Sequence, residues 1–476
     1  MIFSSILFLI YFLPVFLLVY YITPKFLKNV VVLVFSIFFY SWGAPKFIFV
    51  ILGTTLVDFF LVKWMYNTQT RLYRRILLTV SVCMNLGLLF YFKYSGFFIE
   101  NVDVFITHIF HVHPLGWTKL VLPLGISFYT FETITYVVDV YRGEHKPLDN
   151  FWNYQLYIIL FPKLIAGPII RYHELADQIT DRSANETTEN RLLGFYRFII
   201  GLAKKVLIAN QMGALADAVF KTSTADLSAY AAWMGILAYT FQIYFDFSGY
   251  SDMAIGLARM IGFKFPENFE NPYTSQSITE FWRRWHMSLG RWMKNYLYIP
   301  LGGNRVDSKL RLYFNLWFVF LISGLWHGAS WNFVFWGAYH GTFLALERAF
   351  LLRVYDKIGK FFRTVLTFLV VVIGWVFFRV EKFNDAILFI KRMFIANPKE
   401  YKFIPDPAFY TILTIAAFFA FFTFFKWTQK VQDGIFTLEY SNLRHLLTAF
   451  IVLVLFILSV GNIAGSGFNP FIYFRF

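Results

Sequence analysis

The sequence predicts an all-α polytopic membrane protein, and three observations carry that prediction. Hydrophobic residues make up 58% of the chain and mean hydropathy is +0.55, more apolar surface than a soluble fold of 476 residues needs to bury. Apolar segments recur along the whole length with short polar connections between them. The net charge of +15 gathers at segment ends: Lys25 and Lys28; Lys63, Arg71, Arg74 and Arg75; Arg142 and Lys146; Lys204 and Lys205; Arg348, Arg353, Lys357, Lys360 and Arg363. Basic residues just beyond a span face anionic headgroups on the cytoplasmic side. The pattern therefore points to membrane lipids as partners and not to nucleic acid, for which no motif is present.

Taken in order, the apolar segments are 3–21, 30–40, 47–62, 76–92, 120–138, 154–170, 192–208, 230–247, 312–325, 331–346, 365–378, 409–425 and 446–460. Several are shorter than the ~20 residues a spanning helix needs, and glycine or proline interrupts others, so the expectation is roughly eleven full spans plus re-entrant or half-inserted pieces. Met1 leads directly into an apolar segment with no basic region before it, so the start reads as a first span and not a signal peptide. An outside N-terminus then places Lys25, Lys28 and 63–75 in the cytoplasm; beyond residue 380 the basic asymmetry weakens. No repeat or soluble linker divides the chain, which is read as one membrane domain over 1–476 with 462–476 as a C-terminal aromatic tail. The single cysteine, Cys83, lies in the run TVSVCMNLGLL, where it reads as a small buried hydrophobe with no disulfide partner and no metal-binding companion.

His327 is the residue that suggests chemistry. It lies in a stretch without formal charge between Arg311 and Glu347, where a group that exchanges protons near neutral pH is out of place unless it has work to do. Ser323, Ser330 and Asn332 would satisfy its ring if it were only a packing residue. The flanking Gly324 and Gly328 suggest instead that other groups approach it closely.

A second histidine, His286, falls in SITEFWRRWHMSLGRWMKNYLYIPLGGNR, which is too polar and aromatic to span. Ser277 with Glu280 marks a capped helix start, and Pro300, Gly302 and Gly303 mark a stop. As one continuous helix, at about 100° per residue, it puts Arg283, Arg284, Arg291 and Lys294 within one arc of about 100°. Phe281, Trp282, Trp285, Leu289, Trp292, Met293 and Tyr296 fill most of the other side. The expectation is an amphipathic interfacial helix, its aromatic face toward the bilayer and its basic face toward headgroups or the phosphates of a ligand. Three histidines in HIFHVH (108–113) lack acidic or thiolate companions, so no metal is assigned there. DFSGYSD (246–252) has no nucleophile elbow and reads as polar lining or helix packing. His340 is a candidate supporting residue near His327, while His145, His173 and His445 read as interfacial.

The blocks LPLGISFYTFETITYVVDVYRG (122–143), LFPKLIAGPIIR (160–171), YFDFSGYSDMAIGLARMIGFKFPENFENPY (244–273), FWRRWHMSLGRWMKNYLYIPLGGNR (281–305) and GLWHGASWNFVFWGAYHG (324–341) cover the middle half of the chain. In these the sequence resembles the membrane-bound O-acyltransferase superfamily, in its bacterial alginate and peptidoglycan O-acetyltransferase branch. The resemblance implies a ring of tilted helices around a thinned centre with a tunnel reached from both sides. It implies that His327 is catalytic and that His286 is its functional partner. It further implies acetyl transfer from a cytoplasmic thioester, acetyl-CoA as donor substrate and no tightly bound cofactor, in the bacterial cytoplasmic membrane. The acceptor would be an extracytoplasmic polysaccharide, reached with an SGNH-type transferase or esterase partner.

The residue chemistry agrees with that picture, since acyl transfer from a thioester needs a base or nucleophile and a neutral buried imidazole supplies one. His327 takes that role, His286 orients the thioester or shuttles a proton, and Arg283, Arg284, Arg291 and Lys294 are the candidates for the donor's phosphates. The tail ends in FIYFRF, whose aromatics call for a groove, and Tyr473 would bring a phenol that can accept and pass on an acyl group. Interfacial anchoring is the simpler use of the same tail. Three alternatives stay open: D-alanyl transfer to teichoic acids, a transporter or flippase, and a scaffold of polysaccharide export without chemistry.

Overall fold

A computed structural model describes residues 1–111, 114, 116–118, 120–395, 405–437, 441–465 and 472, and every regular element among them is helical. Among the described residues six helices are long and apolar enough to cross a membrane: Lys25–Gly43, Ile48–Asn67, Arg71–Phe110, Lys360–Arg379, Pro407–Phe424 and Asn442–Gly465. The chain is a multi-pass membrane protein. Leu7–Ile22 is apolar but shorter, and other expected spans are broken or carry polar residues mid-helix. Segment 154–170, for example, is a helix over Phe151–Ile159, a short turn over Phe161–Leu164 and non-helical chain beyond. Pro162 cannot donate to a continuing helix, and the freed Phe161 N–H donates instead to Ser36 Oγ at 3.1 Å. Cys83 is exposed, not buried as expected. It occupies the outer face of the Arg71–Leu89 helix among exposed Val80 and Leu86, where lipid rather than protein solvates a small apolar side chain.

The chain divides into two compact units, one formed by residues 1–2, 7–191 and 257–265 and the other by 3–6, 192–256 and 266–476. The first holds three of the spans around an aromatic cluster in which Phe161 packs against Phe12, Phe16 and Phe39, with ring centroids 5.0 to 5.5 Å apart. It also buries a Glu132–Lys163 ion pair, with the ammonium 4.7 Å over the Tyr157 ring. The basic ends of its early spans meet polar loops. Lys25 pairs with Asp181, Lys28 with Glu186, Lys63 donates to the Asp149 carbonyl, and Arg74 donates to the Tyr141 carbonyl.

The second unit is built on Ala229–Met260, whose small residues let neighbouring helices touch backbone to backbone. A Cβ on Gly249 would lie 2.7 Å from the Gly201 carbonyl oxygen, and one on Gly256 would lie 2.6 Å from that of Gly194. The DFSGYSD carboxylates on this helix serve packing, as expected. Asp246 is buried against Lys205 at 2.7 Å, and Asp252 binds Arg197 at 2.8 Å and Lys204 at 2.6 Å. Trp285, Trp336, Trp375 and Phe378 lie in one continuous apolar core with the inner face of Lys360–Arg379.

Candidate active site

His327 is the last residue of helix Lys309–His327, and a tight turn leads into Trp331–Leu346. The two helices form a hairpin held close by glycine. A Cβ on Gly324 would meet the Phe333 carbonyl oxygen at 2.1 Å, and one on Gly337 would meet that of Phe320 at 2.3 Å. A Cβ on Gly328 would run into the Phe333 ring. The glycines beside His327 are therefore packing residues, and the expectation that they clear room for a reacting group is corrected. What they do is fix where the histidine sits. Its imidazole is 7% exposed and edge-on to three rings: Trp326 at 4.9 Å, Trp336 at 5.2 Å and Phe378 at 5.2 Å between centroids. Asn332, one of the side chains expected to satisfy that ring, donates instead to the Val380 carbonyl.

The segment around His286 is not one helix. Ile278–Arg284 ends, Trp285 is extended, and His286 takes a left-handed conformation at φ 46° before Met287–Met293 begins. Loop 268–270 overrides the helical period. The Asn268 carbonyl accepts the Met287 N–H at 2.9 Å, and the Arg284 carbonyl accepts the Glu270 N–H at 2.9 Å. The single basic arc drawn for Arg283, Arg284, Arg291 and Lys294 is lost at this break. Arg283 and Lys294 are exposed, Arg284 is paired with Glu280 at 2.7 Å, and Arg291 donates to the Glu267 carbonyl at 3.2 Å. The aromatic face does not meet lipid either. Phe281, Trp285, Leu289, Trp292 and Met293 are buried in protein, Phe281 stacked on Tyr273 and Trp285 packed against Tyr244 and Trp375.

His286 is likewise no interfacial residue. It is 2% exposed, with Phe247 edge-on at 4.7 Å and Trp326 at 6.1 Å. The two histidines thus share Trp326 as a common neighbour. Burial pushes the His286 pKa down to about 3, so its ring is neutral at physiological pH. Nδ1 lies 3.1 Å from Asn268 Oδ1, while Nε2 is buried without a hydrogen-bond partner among the described residues.

Three supporting residues escape local sequence patterns. Glu347 closes the N-terminus of Ile278–Arg284, accepting the Ile278 N–H at 2.6 Å and the Thr279 N–H at 2.8 Å, while Ser277 Oγ accepts the Glu280 N–H at 3.0 Å. The expected capping box is shifted by one residue, since the Glu280 carboxylate accepts from Gln276 N–H. Asn268 lies in the PENFENPY stretch quoted above, but nothing in its spacing couples it to His286. Asp246 accepts the Ile472 N–H at 2.9 Å, and Ile472 is buried in the core of this unit, as expected of a docked tail. Tyr473, Phe471, Phe474 and Phe476 lie outside the described residues, as does His113 of HIFHVH. His340 is fully buried, edge-on to Trp282 and Trp336 at 5.0 and 5.1 Å, and so shares Trp336 with His327.

Among the described residues one group has metal-ligand geometry, Asp139, Glu144 and His173 in the first unit, with ligand atoms within 4.8 Å of one another. His173 reads from the sequence as interfacial. Its Nδ1–H donates to Asp139 Oδ2 at 2.8 Å, and that contact holds its pKa above the ordinary value. His145 similarly meets Asp177 at 3.0 Å.

A family model described as "MBOAT, membrane-bound O-acyltransferase family" matches residues 145–384, half of the chain. The probable alginate O-acetylase AlgI of Azotobacter vinelandii is 40% identical over 506 aligned residues spanning all of both chains. The chain belongs to the membrane-bound O-acyltransferase family. The peptidoglycan O-acetyltransferase of Helicobacter pylori is 38% identical over 427 residues, 83% of this chain and 80% of that one. The teichoic acid D-alanyltransferase of Streptococcus thermophilus is 28% identical over 252 residues, 50% of this chain and 59% of its own length. The matched region of this O-acyltransferase contains His286, His327 and Asn268 and stops well before Ile472.

Proposed function

We propose that this O-acyltransferase carries an acetyl group from a cytoplasmic thioester, acetyl-CoA, through the bacterial inner membrane for O-acetylation of an extracytoplasmic polysaccharide. The observation that carries the reading is the pair of buried histidines that both pack on Trp326, one of them with a ring nitrogen that has no partner among the described residues. In the proposed step His327 takes the proton of an acceptor hydroxyl as its oxygen attacks the thioester carbonyl. The C–S bond breaks, and the departing thiolate recovers the proton from the imidazolium. Aromatic walls exclude water, which protects the thioester from hydrolysis. Arg283 and Lys294, being exposed, are the proposed contacts for the donor's phosphates. Arg284 and Arg291 already bond protein acceptors and would contribute less.

Burial of Ile472 against Asp246 supports a working tail, in which the Tyr473 phenol is the first acyl acceptor and passes the group to a polymer through an SGNH-type partner. Similarity over the whole chain to an alginate enzyme and over 83% of it to a peptidoglycan enzyme favours acetyl over D-alanyl transfer, for which the similarity covers half the chain. The test is reconstitution in vesicles with labelled acetyl-CoA and, in a parallel arm, D-alanyl carrier protein. His327→Ala should lower acetyl transfer by roughly 10²- to 10⁴-fold at matched abundance. Wild-type transfer by that variant would overturn the assignment, and transfer only from the carrier protein would replace the donor.

A further inference from the structure

We infer that Asn268 is a positioning residue that locks His286 in the Nδ1–H tautomer, so that His286 serves the reaction as an acceptor through Nε2, toward a substrate hydroxyl or amide N–H, and not as a donor to the thioester carbonyl. The inference rests on the proposed role of His286 in acyl transfer and narrows it to one ring nitrogen and one direction.

The argument begins with which end of the Asn268 amide faces His286. Asn268 Oδ1 lies 3.2 Å from the Ser288 backbone N, 2.8 Å from Ser288 Oγ and 3.1 Å from His286 Nδ1. A backbone N–H can only donate, so the atom facing it must be the oxygen. The amide nitrogen points the other way and donates to Ser251 Oγ at 3.1 Å. An amide oxygen can only accept, so His286 Nδ1 carries the proton. In a neutral imidazole that leaves Nε2 with a lone pair, and Nε2 is the buried atom without a partner.

Asn268 holds the backbone as well. Its carbonyl accepts the Met287 N–H at 2.9 Å, immediately after His286 at φ 46°. A left-handed conformation is unfavourable for a non-glycine residue, so the turn persists because both ends of Asn268 grip it. Most charged groups on the surrounding elements are engaged elsewhere: Asp246 pairs with Lys205, Asp252 with Arg197 and Lys204, Glu267 with Arg197, and Glu280 with Arg284, while Arg291 donates to the Glu267 carbonyl. Glu270 and the exposed Arg283 make no bond to the ring, and His327 packs on Trp326, as His286 does. Among the described residues, only Asn268 and Ser288 bond the His286 ring.

Two measurements test this. In vesicle-reconstituted protein with ¹⁵N-labelled histidine, the spectrum of wild type minus that of His286→Ala should show one ring with a protonated Nδ1 and an unprotonated Nε2; a protonated Nε2 overturns the inference. The second variant is Asn268→Asp, which keeps the accepting oxygen and adds a charge that favours imidazolium. The acid limb of its pH profile should move up by about one unit or more, and the shift should be absent when His286 is also replaced by alanine. A profile that stays put with a changed melting temperature would mean that Asn268 is structural only, which also overturns the inference. If His286→Ala alone transfers acetyl groups at the wild-type rate, the failure lies in the proposed role of His286 and not in the tautomer, which the spectrum reads independently of activity.

Discussion

Replacing Gly324 by alanine tests whether the helical hairpin sets the position of His327. The added methyl would lie 2.1 Å from the Phe333 carbonyl oxygen and 3.1 Å from the Gly337 Cα, and ordinary contact begins at 3.4 Å. Both obstacles are backbone and cannot rotate aside, so the two helices must part by about 1 Å. Overpacking of this kind costs about 1–3 kcal/mol, which a folded membrane protein can survive. The effect on chemistry should be larger. His327 is three residues from the wedge, and a displacement of about 1 Å in a reacting group costs roughly 10²-fold in rate. Gly87→Ala, on a helix face where a Cβ meets nothing within 4 Å, is the control and should leave both stability and activity near wild type. The assay is thioester-dependent acetyl transfer in reconstituted vesicles, normalised to folded protein by size-exclusion chromatography. Near-wild-type transfer by Gly324→Ala would show that the close helix contact does not position His327.

Tyr473→Phe should abolish polymer acetylation while leaving donor thioester hydrolysis and protein abundance intact, because only the hydroxyl proposed as acyl acceptor is lost; unchanged acetylation would leave the tail an anchor. The His173–Asp139 contact should make the first unit's stability pH-dependent. With the folded pKa of His173 above its unfolded 6.5, the stabilisation is full below that value and fades as pH rises through the folded pKa. Melting temperature should therefore fall on alkalinisation across that window, and Asp139→Asn should flatten the dependence; an unchanged slope in that variant would sink the assignment. For topology, a cysteine placed at Thr70 in a Cys83→Ser background should resist an impermeant thiol reagent added outside intact cells, since the basic cluster 63–75 is expected in the cytoplasm. Labelling from outside would reverse the orientation.

The features legible in the sequence are those written in local composition. Apolar length identified the class and six of the expected spans among the described residues, and the isolation of His327 in an uncharged stretch marked it out. What was misread depends on partners distant in the chain. Cys83 was assigned inward because apolar runs look alike from all sides, and only packing tells a lipid-facing position from a core one. The glycines beside His327 were read as clearance for a substrate, although the same absence of Cβ serves helix contact. Glu347 sits 69 residues beyond the helix start that it caps, and no periodicity could connect them.

The break at His286 shows why helical period alone failed at the candidate site. Residues 278–298 have good helix formers, an N-cap and a stop, so every local signal favours one amphipathic rod. Such a rod would leave His286 at the surface, with water competing for its ring. Two backbone hydrogen bonds from loop 268–270 and the side chain of Asn268 outweigh the local preference by converting a single residue to φ 46°. That one dihedral change carries the imidazole inward to Phe247 and Trp326, toward the residue at the end of the glycine hairpin. The left-handed strain at His286 and the backbone contacts at Gly324 thus serve the same end, each fixing one of the two histidines that share Trp326 by backbone geometry that side-chain motion cannot undo.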